Sequence, residues 1–103
     1  MKYTIYQVKD DAPNARYITF SGLDFVREMG IALTADLYNK VYSGEVEAAE
    51  SVEATLENLF TKFNIGRKPE GFKGHSLSVS DVIELEGKFY YVDSYGFSEI
   101  ELK

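Results

Sequence analysis

The chain carries one histidine, His75, held between Gly74 and Ser76, and no cysteine. Without cysteine there are no thiolate nucleophiles, disulfides, iron-sulfur ligands or thiolate zinc sites, and one imidazole cannot by itself complete a metal site. No GxSxG, phosphate-loop or GxGxxG pattern occurs, so the common nucleophile turn and nucleotide cradles are missing. What remains is a single candidate base, His75 beside Asp93, if the loop glycines let the imidazole reach a strand end. That pair is not the constellation of nucleophile, base and charge stabiliser that a reaction needs. The sequence therefore predicts no catalytic residues, no metal ligands and no cofactor, with His75 holding its loop through backbone hydrogen bonds. A second chemistry is acidic. Glu45, Glu47, Glu50, Glu53 and Glu57 follow one another with no Lys or Arg between them, as on a solvated face or on a surface that meets a basic partner.

These groups need elements to hold them. Residues 77–85 and 88–93 are rich in β-branched and aromatic side chains and are separated only by Glu86 and Gly87, which predicts a hairpin with Leu85 opposite Lys88. The period of two then puts Val79, Asp81, Ile83, Leu85, Tyr90 and Val92 on one face, expected to be core. Ser80, Val82, Glu84, Phe89, Tyr91, Asp93 and Tyr95 fall on the other, expected to be a mixed aromatic and polar surface. Ser80 and Asp93 come opposite one another, within reach of a hydroxyl to carboxylate bond. Asp81 on the apolar face must cap backbone amides at a bulge or lie at the sheet edge, because an unpaired carboxylate there is costly.

The run GHSLSVSDVIEL, a glycine turn and then YYVDSYGF resemble the signature of YodL-like domains encoded on conjugative elements and plasmids of Firmicutes. YQVKD, YITF, LYNKVYSGEV and LFTKFN precede it in the order that family shows. The resemblance spans nearly the whole chain and implies a module found near antirestriction and DNA-processing genes. It implies no activity that can be carried onto particular residues.

At 103 residues, 45% hydrophobic and 15% aromatic, the chain is read as one folded domain over 1–103. Lys2 to Val8 alternate as a strand, and Arg16 to Phe20 resume a β-prone run that suggests a second hairpin. Ser21 reads as an N-cap with Gly30 closing a short helix that exposes one face of Leu23, Val26 and Met29 to the sheet. Residues 37–46 read as a strand with Tyr38, Lys40 and Tyr42 on one face and Gly44 at a bulge or at its end, although 35–42 could also be a helix. Residues 51–63 carry an apolar stripe at helical spacing behind Ser51 as N-cap, with Asn64 and Gly66 as stops. The expectation is an α+β fold of order β-β-α-β-α-β-β, the 51–63 helix packed across a small, mostly antiparallel sheet.

The net charge of -6 argues against direct nucleic-acid binding, and the cluster Lys62, Arg67, Lys68 and Lys73 reads as a solvated loop. No run is long enough to cross a membrane, and the MKYTIYQV start has no signal-peptide core, so a cytoplasmic protein is expected. Two functions follow as expectations. One is a non-enzymatic accessory protein of a mobile element that binds another protein, such as a conjugation or replication protein, through Phe89, Tyr91, Tyr95, Asp93, His75 and the 66–75 loop. The other is an acidic inhibitor of a DNA-targeting host nuclease, of restriction or CRISPR type, with Glu45 to Glu57 and Asp10 and Asp11 standing in for phosphates.

Overall fold

The computed structural model describes residues 1–65 and 68–103. Gly66 and Arg67, read above as a helix stop and a member of the basic cluster, lie outside the described residues. Five antiparallel strands, β1 (Lys2–Val8), β2 (Tyr38–Glu45), β3 (Val82–Leu85), β4 (Lys88–Val92) and β5 (Phe97–Ile100), form one sheet in the order β2-β1-β3-β4-β5. Between β1 and β2 the chain forms α1 (Ala15–Ile18), α2 (Leu23–Glu28) and a 3-10 turn at Ala35–Leu37, and α3 (Val52–Asn64) joins β2 to β3.

The fold is thus α+β, but the element order departs from the expected one in two places. The β-prone run 16–20 is α1 and the turn after it. Both edges of β1 are already taken, by β2 and β3, so a second hairpin strand has no ladder to join, and Ile18 is buried instead beneath the sheet. The fifth strand, β5, was not expected; its four residues pair with β4 from Phe89 opposite Ile100 to Val92 opposite Phe97.

The hairpin forms with Leu85 opposite Lys88, but its first strand is shorter than the expected 77–85: β3 starts only at Val82, and the bulge at Ser80 and Asp81 precedes it. Glu86 and Gly87 both adopt positive φ, 48° and 86°, the type I′ geometry whose twist matches the strands. The Glu86 carboxylate accepts from the Lys2 amide at 3.0 Å, tying the turn to β1. Along β1 and β2 the register shifts between Ile5 and Tyr6, so that Ile5 faces Tyr42 and Tyr6 faces Lys40. Val41 is the extra residue of that bulge, and it sends Tyr38 and Tyr42 to opposite faces rather than to the shared face expected. Gly44 is not at the bulge; a side chain there would meet the Tyr3 hydroxyl at 2.9 Å.

Both faces of the sheet are covered. On the first, Leu56, Leu59 and Phe63 of α3 pack on Tyr3, Ile5, Ile83, Leu85 and Val92. The Ser51 hydroxyl accepts from the Ala54 amide at 3.1 Å and starts α3. On the second, Ile18, Leu23 and Val26 pack on Leu37, Tyr38, Val82 and Tyr91. The face of the hairpin read as a surface is therefore a second core. Met29, placed with Leu23 and Val26 in the sequence, stays exposed because α2 has already ended. Gly30, at φ 71°, closes α2 as expected, with its amide on the Arg27 carbonyl and that of Ile31 on Val26.

Candidate functional site

The start of β3 collects the polar groups. Ser80 sits at φ 88°, donating its amide to the Val92 carbonyl while Val92 donates back to the Asp81 carbonyl, so two residues oppose one in a bulge. The positive φ is the conformation a glycine ordinarily supplies there. The bulge turns Asp81 inward, where it is 1% exposed, and its Oδ2 accepts from the Ser78 amide at 2.9 Å and from Gln7 Nε2 at 3.1 Å. Capping of amides at a bulge is one of the two arrangements the sequence required. Burial pushes the Asp81 carboxyl up to about 6, against the opposing pull of the Ser78 bond, the charge on His75 and the Gln7 bond.

Gln7 organises the cluster from β1. Its Nε2 also donates to the His75 carbonyl at 2.8 Å, and its Oε1 accepts from the His75 amide at 3.1 Å. One buried amide side chain thus grips the peptide of residue 75 from both sides, as a neighbouring strand would. Gly74 makes the approach feasible, because a Cβ at that position would lie 2.1 Å from Gln7 Oε1. Both Nε2 hydrogens are used, so Gln7 has none left for His75 Nδ1, which lies 3.3 Å away. Nδ1 lies 2.7 Å from the Ser76 carbonyl, which can only accept. In the neutral ring this inventory puts the proton on Nδ1 and the lone pair on Nε2. His75 is exposed, with its ring centroid 6.2 Å from that of Phe20.

Phe20 is the second unusual residue here. Its φ is 65°, its amide donates to Ser80 Oγ at 3.0 Å, and its ring is 66% exposed. Two non-glycine residues in the left-handed region are thus bonded to one another. The Tyr38 hydroxyl donates to the Ser80 carbonyl at 2.9 Å, and burial raises its pKa strongly.

Asp93 has a different task from the one expected. Its Oδ1 accepts from the amides of Leu23 at 3.1 Å and Ser94 at 2.8 Å, and its Oδ2 from the Ser98 hydroxyl at 2.9 Å. It caps α2 across the fold, because the N-cap is Gly22, which has no side chain to do so, and not Ser21 as expected. Burial alone would raise its pKa; the bonds from Leu23, Ser94 and Ser98 and the charge of Arg27 outweigh it and hold the group below the usual carboxylate range. The Ser80 to Asp93 bond does not form, because the bulge sets Ser80 opposite Val92 instead of Asp93. Nor does His75 meet Asp93: it is joined to Asp81 through Gln7, and the imidazole makes no direct bond to either carboxylate among the described residues.

The expected aromatic contact surface separates into three environments. Tyr91 is 0% exposed and gives its hydroxyl to the Ser21 carbonyl at 2.6 Å. Phe89 is half-buried, its ring centroid 6.2 Å from that of Tyr6. Tyr95 alone projects freely, at 96% exposure. Reading Tyr91 as accessible fails because α1 and α2 cover that face, which the alternation of one hairpin cannot reveal. The acidic residues Glu45, Glu47, Glu50, Glu53 and Glu57 are all exposed. The one ion pair among the described residues joins Lys103 to Glu101 at 3.6 Å, and no metal-ligand cluster occurs among them. No helix is long and apolar enough to cross a membrane among those residues. Gln7 and Phe20 were missed. Gln7 had a signal, as the polar member of the Tyr3, Ile5, Gln7 alternation; Phe20 had none.

A sequence model of the YodL-like domain matches residues 2–102. This chain belongs to the YodL-like domain family. No curated protein and no solved structure matches it. Within this YodL-like domain the stretch from Gly74 to Phe97 comprises the Gln7-gripped loop, the Ser80 bulge, the hairpin and the Asp93 cap.

Proposed function

We propose that this YodL-like domain is a non-enzymatic accessory protein of a mobile DNA element that binds another protein. The contact is made at the end of the hairpin where Phe20, His75 and Tyr95 project. Phe20 carries the reading. Its backbone is held at φ 65° by a bond to Ser80, itself at φ 88°, yet its ring is 66% exposed. Strain of this kind persists only where the surroundings impose it, and it clusters at functional sites; here it presents an aromatic ring to solvent. Tyr95 stands at the same end of the hairpin, and exposed aromatic anchors are the side chains that dominate protein contacts. In its neutral form the imidazole of His75 adds an acceptor beside Phe20.

Because both rings are largely outside the core, Phe20→Ala combined with Tyr95→Ala leaves the melting temperature nearly unchanged. Proteins that the native domain retains from a lysate of its host are lost by the double variant. Equal retention by the variant, identified by mass spectrometry, would remove this surface from the reading.

A second reading, inhibition of a DNA-targeting nuclease by partial phosphate mimicry, is supported by the exposure of Glu45, Glu47, Glu50, Glu53 and Glu57 and of Asp10 and Asp11. None of them is ion-paired among the described residues. Changing the five glutamates to lysine relieves inhibition in a DNA-cleavage assay and leaves the circular dichroism spectrum intact under this mechanism. Inhibition that survives the reversal sinks mimicry.

A further inference from the structure

The first face of the sheet is five strands wide and carries one helix. Strands lie about 4.8 Å apart and a helix with its side chains is about 10 Å across. α3 is seated on Tyr3, Ile5, Ile83, Leu85 and Val92 and meets β5 only through Phe60 against Phe97, so the β4–β5 side of that face is the least covered. The opening is a groove of about 440 Å³ between α3 and the turn joining β4 to β5. Its apolar part is Phe60, Val79, Val92 and Phe97, with the Phe60 and Phe97 rings edge to face at 6.4 Å between centroids.

Its rim is acidic. Glu57 and Asp93 line it, and no Lys or Arg does so among the described residues. Glu53 adds a third carboxylate beside the turn: its Oε1 is 3.3 Å from where a Cβ on Gly96 would stand. Glu99, exposed on β5, shares the strand face of Phe97 by the period of two. Asp93 keeps its charge at neutral pH, since its hydrogen bonds hold the pKa low.

We infer that this groove receives a basic amphipathic helix of the partner protein. Its apolar side chains cover Phe60 and Phe97, and its Lys or Arg side chains meet Glu53 and Glu57. An apolar floor between carboxylates complements a helix with an apolar stripe and a cationic flank, and neither Glu53 nor Glu57 is ion-paired among the described residues. The inference rests on the protein-binding reading and specifies the chemistry of the partner's contacting element.

The test is an amide NMR titration of the whole domain with a synthetic helix of about 14 residues, Leu and Lys placed at the 3.6-residue period. The control is the same pattern with Glu for Lys. The expected result is saturable binding of the Lys peptide alone, with shifts gathered at Glu57, Phe60, Thr61, Val92 and Phe97. Glu57→Lys with Thr61→Lys, both on the exposed side of α3, weakens binding at least about tenfold, whereas Glu47→Lys, away from the groove, changes it less than about twofold. Equal weakening by Glu47→Lys, or shifts spread over residues 45–50, would mean unspecific charge attraction and overturn the groove. Shifts confined to Ser98 and Ile100 would mean a strand added to the β5 edge and would overturn it too. The Phe20→Ala, Tyr95→Ala variant separates the two proposals: if it still binds the peptide but fails to retain host proteins, the groove stands on its own, and if it retains host proteins that native domain carrying bound peptide also retains, the groove is not the partner's seat.

Discussion

Tyr91→Ala destabilises the domain by about 3–5 kcal/mol. The ring is wholly buried against Ile18, Leu23, Val26, Leu37 and Tyr38, so truncation leaves a cavity that the short helices above it cannot all collapse into. A domain of this size holds only about 5–15 kcal/mol in total, so the loss is a large share. Tyr91→Phe separates the ring from its hydroxyl. It removes only the bond to the Ser21 carbonyl and costs about 1–3 kcal/mol, the carbonyl being left without that donor. Urea denaturation of the two variants measures both. A native-like midpoint for Tyr91→Ala would mean that α1 and α2 do not pack on the sheet as described.

The hairpin was legible because its two signals are local and agree: a two-residue turn ending in glycine, and alternation on both sides of it. What alternation cannot give is the number of layers. Ser80, Glu84 and Asp93 made one face look solvated, yet each polar group on it serves a bond across the fold, to the Phe20 amide, the Tyr6 hydroxyl and the Leu23 amide. The run 16–20 looked like a strand because propensity ignores whether a ladder has a free edge. The same limit applies to the candidate site. His75 and both aspartates were visible as residues, but the inward turn that brings Asp81 to Gln7 depends on Ser80 holding φ 88°. That angle redirects the chain before β3, and no serine in a sequence announces it.

Asp81→Asn stabilises the domain at pH 7 by up to about 3 kcal/mol. The carboxyl titrates at its ordinary 3.8 in the unfolded chain and at about 6 in the folded one. Between those values the folded state keeps a proton that the unfolded state has released, so stability falls as pH rises. The contribution is whole below 3.8 and gone once pH has passed through 6. Above that, an ionised carboxylate is held in a site 1% exposed. Asparagine keeps an acceptor in the Oδ2 position for Ser78 and Gln7 and carries no charge. Asp93 slopes the other way, since its lowered pKa contributes stability that is lost on acidification, but it is common to both proteins and cancels in their difference. Urea midpoints at pH 4.5 and pH 7 decide the matter: the advantage of Asp81→Asn must grow toward pH 7, and a constant difference would mean that burial does not control this carboxyl.

The position of β1 bears on how the domain comes to be folded. The strand made from residues 2–8 is interior to the sheet, with β2 on one side and β3 on the other, and the Lys2 amide finds the Glu86 carboxylate 84 residues away. On a ribosome it is among the earliest parts of the domain to emerge, and it must wait unsatisfied along one edge until nearly all of the domain has been made. Closing so long a loop costs entropy before any contact repays it. The β3–β4 hairpin can form alone in the meantime, so assembly is expected to be slow, non-local and governed by when that hairpin captures β1.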